Sequence, residues 1–366
     1  MTDTTAPDRI GSGTATALVA TAFLVAMLGT TLPTPIYPLY EARYGFGGFV
    51  VTVVFATYAV GVIAALLVLG GLSDRIGRKP VLYLGLALAL VSALVFLVPA
   101  MPALFVGRVL SGLSAGVFTG TATAAILDHA PPDGKARAGL VAAAVNMLGL
   151  GLGPVVAGLL VELAPWPMEL PYLVHIALVV LVGIGLLVVP ERVARRSFRV
   201  EPLRLGGLPP EVRGTFVRAA IPCFAGFAVL GMFTAVSPAV LSQVLGRPNH
   251  LLAGVTVFLV FLGSAVGQVG TALLSERTAM PLGCAMLVVG VLTVGGGIVA
   301  VSYWLFAAGA VVAGLGQGIS FRTGLTAVGS EAPPAHRGQS LLTRAEDMPE
   351  ALHAFLERRP PNFTGR

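Results

Sequence analysis

The sequence predicts an all-α membrane protein built from long apolar helices, for three reasons. Hydrophobic residues fill 56% of the 366 positions and charged residues only 11%, with a mean hydropathy of +0.89, whereas a soluble domain carries about 25% charged residues. The apolar residues form uninterrupted runs, and crossing a bilayer takes about 20 of them. The runs lack the alternation of barrel strands, which leaves helices as the elements that satisfy the backbone in lipid.

Ten such runs predict ten membrane-spanning helices. They cover residues 17–39, 51–69, 81–99, 104–127, 140–163, 172–189, 216–241, 251–274, 281–301 and 305–328. One long polar stretch follows the sixth run, at residues 191–214, and it is rich in arginine and proline. We interpret this stretch as the connector between two halves of the protein.

The basic residues predict the orientation. They collect in the loops on one side of the expected bundle, at Arg75, Arg78, Lys79, Lys135, Arg137, Arg277, Arg337 and within 192–213. The positive-inside rule makes this side cytoplasmic, together with the N-terminus. The net charge of +6 then faces anionic lipid rather than nucleic acid. A composition of 2 lysines against 21 arginines indicates a GC-rich bacterial gene, so we expect a multi-pass protein of the bacterial inner membrane.

A short, basic, glycine-rich loop separates the second and third runs. Its pattern, G-x-x-x-D-R-x-G-R-K, is formed by Gly70, Asp74, Arg75, Gly77, Arg78 and Lys79. This pattern resembles the signature loop of the major facilitator superfamily, in which these positions imply a cytoplasmic gate. An ordinary positive-inside loop is the alternative. It explains the cations but neither the acidic residue nor the glycines.

An internal repeat at an offset of 202 residues supports a two-half plan. Residues 72–75 (LSDR) recur as 274–277 (LSER), and residues 130–132 (APP) as 332–334 (APP). Such parallel repeats place a substrate path at mid-membrane between the halves. We predict a six-span N-terminal half at 1–190, the connector at 191–214, an incomplete four-span C-terminal half at 215–339, and a soluble amphipathic tail at 340–366.

The predicted tail occupies the place where the repeat requires another span, at about 342–365. Asp347 and Glu350 form a capping box there. The last 25 or so residues resemble the C-terminal end of an enoyl-CoA hydratase, outside the catalytic segments of that family. We expect a gene fusion or deletion junction after residue 339.

The fourth run carries one cation followed by small residues at every fourth position: Arg108, Gly112, Gly116 and Gly120. A charge inside a span usually faces a cavity or a partner. The spacing resembles the fourth-helix motif R-x-x-x-G of the superfamily, whose arginine implies proton coupling in exporters. The alternative is an arginine that extends outward to the membrane surface.

The fifth run resembles the motif G-x-x-x-G-P-x-x-G-G of antiporters at Gly149, Gly153, Pro154 and Gly158, with Ala157 in place of one glycine. Proline bends a helix and glycines permit a close helix contact, so we expect a flexible seam there. A generic seam of small residues is the alternative.

The other polar residues of the spans give weaker hypotheses. The candidates to line the substrate path are Asn146, Gln268, Arg322 and His175. We interpret Asp128 as a solvated residue at a helix end. Mid-membrane acidic residues are scarce, so the proton-carrying group is not assigned. We expect Cys223 and Cys284 to be inert packing residues.

These observations predict a monomeric transporter that exports small amphipathic molecules in exchange for protons. The alternatives are a transport-defective member of the family and a facilitator or importer of a small solute. The sequence has neither an ATP-binding loop nor a nucleophile–base or metal-ligand cluster. We therefore expect no enzymatic activity, no cofactor and no metal.

Overall fold

The computed structural model describes residues 11–193 and 210–331, and every regular element within these ranges is helical. The α-helices are α1 (Ser12–Thr31), α2 (Tyr37–Tyr44), α3 (Gly48–Leu69), α4 (Leu72–Ile76), α5 (Arg78–Phe96), α6 (Met101–His129), α7 (Lys135–Leu163), α8 (Leu170–Leu186), α9 (Pro210–Ala239), α10 (His250–Gly270), α11 (Glu276–Val299) and α12 (Tyr303–Glu331). We call α1–α8 the first half and α9–α12 the second half.

Within the described ranges, nine helical segments are long and apolar enough to cross a membrane. The continuous stretch from α1 to α2 counts as one of them, and α8 is a shorter apolar helix of 17 residues. These ten segments coincide with the ten apolar runs, so the predicted all-α membrane fold is confirmed. The predicted tail at 340–366, Arg337 and most of the 191–214 connector lie outside the described residues.

The chain order defines two ends of the bundle. The short helix α4 and the connection between α6 and α7 lie at one end, which we call the signature end. The segment from α1 to α3 and the loops after α5, α7, α9 and α11 lie at the other, which we call the opposite end.

Prolines break the first span near the opposite end. A 3₁₀ turn at Thr34–Ile36 separates α1 from α2, and prolines 33, 35 and 38 flank or occupy it. Proline has no N–H group, so the backbone carbonyls of this region lose regular helical donors. The break therefore exposes backbone acceptors in the interior of the protein.

Each half has its own apolar core. In the first half, α1, α5, α6 and α8 pack around Phe23 and Phe118, whose rings stack with centroids 6.3 Å apart. In the second half, α9, α10 and α12 pack around Phe233 and Phe306. Met147 of α7 belongs to this second core, so α7 joins the two halves.

The internal repeat recurs in the structure. Helices α3 and α10 begin 202 positions apart, as do α6 and α12. A Cβ on Gly112 of α6 would overlap the backbone of Tyr58 on α3, and a Cβ on Gly314 of α12 would overlap that of Val260 on α10. The same helix crossing is thus built twice, with glycine allowing backbone contact each time.

The glycines of the predicted stripe on α6 have different environments. Gly112 and Gly116 both pack against the backbone of α3, whereas Gly120 is exposed and has no neighbour within 4 Å. The first two glycines therefore form a structural contact within the first half.

This contact predicts the effect of adding side chains. Gly112→Val forces α6 and α3 apart, and overpacking of this kind costs about 1–3 kcal/mol, so the detergent-solubilised protein should lose thermal stability. Gly120→Val is the matched control, because it carries the same helix-propensity cost without a neighbour. Equal melting temperatures for the two variants would contradict the packing.

Candidate functional site

The signature loop folds as the short helix α4, which ends at a glycine. Gly77 has a φ of +101°, a conformation that favours glycine, and α5 begins directly after it at Arg78. A Cβ at Gly77 would also overlap the carboxylate of Glu191. Of the other signature residues, Gly70 follows the end of α3 and Arg75 lies partly buried on α4.

Arg78 is the centre of a charge network at the signature end. Its guanidinium donates to Asp128 on α6 at 3.0 Å, to Asp74 at 2.6 Å and to Ser73 at 2.7 Å. The side chains of Arg78 and Asp128 are 13% and 16% exposed, so the interpretation of Asp128 as a solvated helix end is wrong. Asp74 is 66% exposed, and an ion pair in water contributes little to stability.

Reciprocal hydrogen bonds join the start of α5 to the end of α8. The carboxylate of Glu191 accepts from the backbone N–H groups of Arg78 at 3.1 Å and Lys79 at 2.8 Å. In return, Lys79 Nζ donates to the carbonyls of Leu187 at 2.7 Å and Val189 at 3.1 Å. Both charges complement the helix dipoles, since each satisfies backbone groups that a helix end leaves free. Glu191 belongs to no sequence motif, and its one signal in the sequence is an acidic residue directly after an apolar run.

Arg108 lies on α6 and is 0% exposed. Its Nε donates to the hydroxyl of Tyr37 at 2.6 Å, and its Nη1 donates to the carbonyl of Thr30. Thr30 belongs to the last turn of α1, where carbonyls have no intrahelical donor. The guanidinium also lies 5.3 Å from the ring centroid of Tyr37 and 5.4 Å from that of Phe55, within cation–π range.

One nitrogen of this buried cation stays available. Nη2 of Arg108 has no hydrogen-bond partner among the described residues. Arg108 does not extend outward to the membrane surface, because its side chain is completely buried. The arrangement is that of a fixed interior cation with a free donor, which is able to bind an acceptor or respond to water entry.

The glycines of α7 form two contact faces. Gly149 and Gly153 pack against the backbone of α1, whereas Gly151 and Gly158 pack against α10 of the second half. A Cβ on any of these four would approach a neighbouring helix within 3.0 Å. The predicted seam therefore lies between α1 and α10, and Gly151 extends it.

Pro154 changes the hydrogen bonding of α7. It has no N–H group, so the carbonyl of Leu150, one turn earlier, loses its helical donor. The hydroxyl of Thr31 on α1 donates to that carbonyl at 2.6 Å. The proline thus creates a bond between α7 and the last turn of α1, next to the Thr30 carbonyl that holds Arg108.

The two halves meet near the opposite end. Gly254 of α10 packs against the carbonyl of Pro154, and His250, the first residue of α10, packs against Gly158. The backbone N–H of His250 donates to Glu162 at 3.1 Å, and its Nδ1 lies 2.8 Å from the carbonyl of Pro35. The sequence analysis assigned no role to His250 or Glu162, since neither belongs to a motif.

A small pocket with a polar lining lies inside the first half. Its polar lining consists of Thr30, Ser92, Ser111, Ser114, Tyr172 and His175. His175 is 3% exposed and its Nε2 lies 3.1 Å from the carbonyl of Val25. The imidazole therefore lies within the first half and beside α1.

The three candidates for a substrate path have different surroundings. Asn146 of α7 adjoins the contact between the halves, and its Oδ1 is buried without a partner among the described residues. Gln268 is 1% exposed and donates to Ser264 within α10 at 3.3 Å. Arg322 lies partly buried on α12. Among the described residues, no hydrogen bond or ion pair joins these three side chains.

Two repeated helical halves that meet along glycine-lined helices are the architecture of secondary membrane transporters. Residues 19–342 match the family model of the Major Facilitator Superfamily. The chain therefore belongs to this superfamily, whose members are transporters of small molecules and not enzymes.

Solved structures with a similar fold are also transporters. The xylose transporter XylE from E. coli, in a partially occluded inward-open conformation, aligns with a TM-score of 0.68 and 12% identity over 88% of this chain and 87% of that one. A bacterial homologue of the human lysosomal transporter Spinster, in an inward-facing and unoccupied conformation, aligns with a TM-score of 0.61 and 16% identity. The alignment covers 87% of this chain and 78% of that one. A search of curated proteins finds no significant match.

The reciprocal contact between α5 and α8 predicts a loss of stability on removal of Glu191. Glu191→Ala leaves two N–H groups uncapped at the start of α5, a loss of about 1 kcal/mol for an exposed cap, and should lower the thermal unfolding temperature in detergent. Glu169→Ala is the control, because the one ion pair of its side chain in the described part of the chain, with Arg43, is exposed and 4.0 Å long. A Glu191 variant as stable as the control would contradict the capping role.

Proposed function

We propose that this protein exports small amphipathic compounds in exchange for protons, by alternating access of a path between its two halves. In this proposal it acts as a monomer in the bacterial inner membrane, with the signature end in the cytoplasm. The positive-inside rule supports that orientation, since Arg75, Arg78 and Lys79 lie at the signature end. The substrate itself is an unidentified small molecule.

The observation that carries the proposal is the environment of Arg108. A charge inside a span is expensive and is retained where it has a use. Arg108 is completely buried, is oriented by Tyr37 and Thr30, and keeps one nitrogen unpaired. A fixed cation of this kind raises the cost of a proton nearby and favours its release, which is the property that a coupling site requires.

The contacts between the halves support alternating access. Gly158, Gly254 and His250 join the halves in the part of α7 and α10 nearer the opposite end. With the signature end cytoplasmic, a closed opposite end corresponds to an inward-facing state. We assign the Asp74–Arg78–Asp128 network at the signature end the role of a cytoplasmic gate.

The choice of efflux over uptake in this proposal rests on the α7 motif and on Arg108. The similar solved structures include a xylose transporter and a Spinster homologue, so the fold by itself does not select a substrate or a direction. The bend at Pro154 and the tight glycine faces of α7 supply a seam on which the halves are able to slide. This is the arrangement that the resemblance to antiporters implies.

A second candidate is a member of the family that folds but does not transport. Four of the eight buried polar atoms that lack partners among the described residues belong to the second half, on Ser237, Gln317, Ser320 and Thr323. Such atoms cost free energy in apolar surroundings.

Transport of a probe separates these candidates. In proteoliposomes with an imposed pH gradient, the native chain should expel ethidium, a small amphipathic cation, and Arg108→Ala should reduce the rate at least tenfold. Arg43→Ala is the control, since Arg43 is an exposed surface cation.

Efflux that is unchanged in the Arg108 variant would contradict its coupling role. No efflux of ethidium by the native chain would favour the second candidate.

A further inference from the structure

A second pocket lies at the signature end, where α5 begins and where α6 and α8 end. Arg78 and Lys79 of α5 line it, together with Glu191 and Arg192 after α8. His129, the last residue of α6, also lines it. Because these helices end here, the pocket lies at the level of the membrane surface.

His129 brings an unused acceptor to this pocket. The residue is 7% exposed, and its Nδ1 lies 2.7 Å from the carbonyl of Ala125. That carbonyl only accepts, so Nδ1 carries the hydrogen and Nε2 is the acceptor of the neutral ring. Nε2 is buried and has no hydrogen-bond partner among the described residues. A buried acceptor without a partner costs free energy, which a donor in the pocket recovers.

We propose that this pocket binds a phospholipid headgroup that combines an anionic phosphate with a hydroxyl, as in phosphatidylglycerol. The hydroxyl donates to Nε2 of His129, and the phosphate lies at the mouth of the pocket beside Lys79 and Arg192. Binding of the lipid is independent of whether the chain transports and in which direction.

The size and charge of the pocket favour a hydroxyl as the donor. It has room for about one group of the size of a water molecule, so a hydroxyl enters and a phosphate stays outside. An ammonium group also donates, but Arg78, Lys79 and Arg192 line the same pocket and repel a cation. The carboxylate of Glu191 already accepts from the backbone N–H groups of Arg78, Lys79 and Val193.

Lys79 supplies a positive charge for the phosphate. Its Nζ donates to the carbonyls of Leu187 and Val189, which are neutral groups. An ammonium group has three hydrogens, so one is left for a further acceptor. The charge of Arg78, in contrast, is paired with Asp128. Basic pockets between spans at the membrane surface bind anionic lipid headgroups in this way.

The turn after α8 indicates that the headgroup belongs to a lipid. Leu187 and Val188 are 64% and 45% exposed, whereas Leu186 and Val189 are buried. The exposed pair forms an apolar surface directly beside the charged lining of the pocket. In a bilayer, acyl chains cover such a surface just below the headgroups. A soluble phosphate ester has no group that covers it.

Native mass spectrometry of the full-length chain in detergent tests the proposal without a mutation. The chain is offered phosphatidylglycerol, phosphatidylethanol and phosphatidylethanolamine with identical acyl chains. Phosphatidylethanol keeps the anionic phosphate but lacks the hydroxyl, so phosphatidylglycerol should bind about fivefold more tightly, as one hydrogen bond implies. Phosphatidylethanolamine should also bind more weakly than phosphatidylglycerol. Equal binding of phosphatidylglycerol and phosphatidylethanol would overturn the proposal.

Two variants assign the contacts. His129→Phe keeps a ring but removes the acceptor, so the preference for phosphatidylglycerol over phosphatidylethanol should disappear. Lys79→Gln removes a cation, so both anionic lipids should bind about fivefold more weakly, while the preference between them persists. Arg43→Gln is the matched control for Lys79→Gln, since Arg43 is an exposed cation at the opposite end, and it should bind both lipids as the native chain does. A preference that survives in His129→Phe would contradict the site.

The soluble headgroup distinguishes a lipid from a free phosphate ester. Glycerophosphoglycerol has the same phosphate and hydroxyls but no acyl chains. At equal concentration it should not displace phosphatidylglycerol from the native chain, because it leaves the apolar surface at Leu187 and Val188 uncovered. Displacement at equal concentration would overturn the assignment to a lipid.

Discussion

The direct backbone contact between α7 and α10 is the constraint on which the other features depend. Gly158 lies against His250 and Gly254 lies against the carbonyl of Pro154, so at these two points the helix backbones meet with no side chain between them. Such contacts bring backbones close and form through packing rather than through the hydrophobic effect, which is absent between helices in lipid. They are therefore able to form and separate at modest cost.

The same helix transmits this contact to Arg108. The other face of α7 packs against α1 through Gly149 and Gly153, and the carbonyl freed by Pro154 accepts from Thr31. The neighbouring Thr30 carbonyl accepts from Arg108. Helix α7 therefore contacts both α10 and the end of α1, which carries one of the two groups that hold the buried cation.

The sequence predicted much of this structure because the bilayer limits the choice of elements. The apolar runs predicted the spans within a few residues. The offset of 202 predicted a repeated plan, and the structure shows that repeat as the paired crossings of α3 with α6 and of α10 with α12. Arg108 was a candidate because a charge inside a membrane is costly and is usually functional. The glycines of α7 were candidates because small residues mark close helix contacts. Partner identity was not predictable, since Tyr37, Glu191, Glu162 and His250 lie far along the chain from the groups they contact. The break after α1 was visible as three prolines, but nothing in the sequence indicated that Pro35 would face the second half.

The central claim is that closure of the opposite end depends on the glycine contact between α7 and α10. The most direct measurement compares Gly158→Val with Gly139→Val, a glycine of the same helix with no neighbour within 4 Å. Distances between spin labels across the opposite end should lengthen in the first variant, because a side chain at Gly158 overlaps the backbone of His250, and should stay native in the second. A short, native distance distribution in the Gly158 variant would contradict the account.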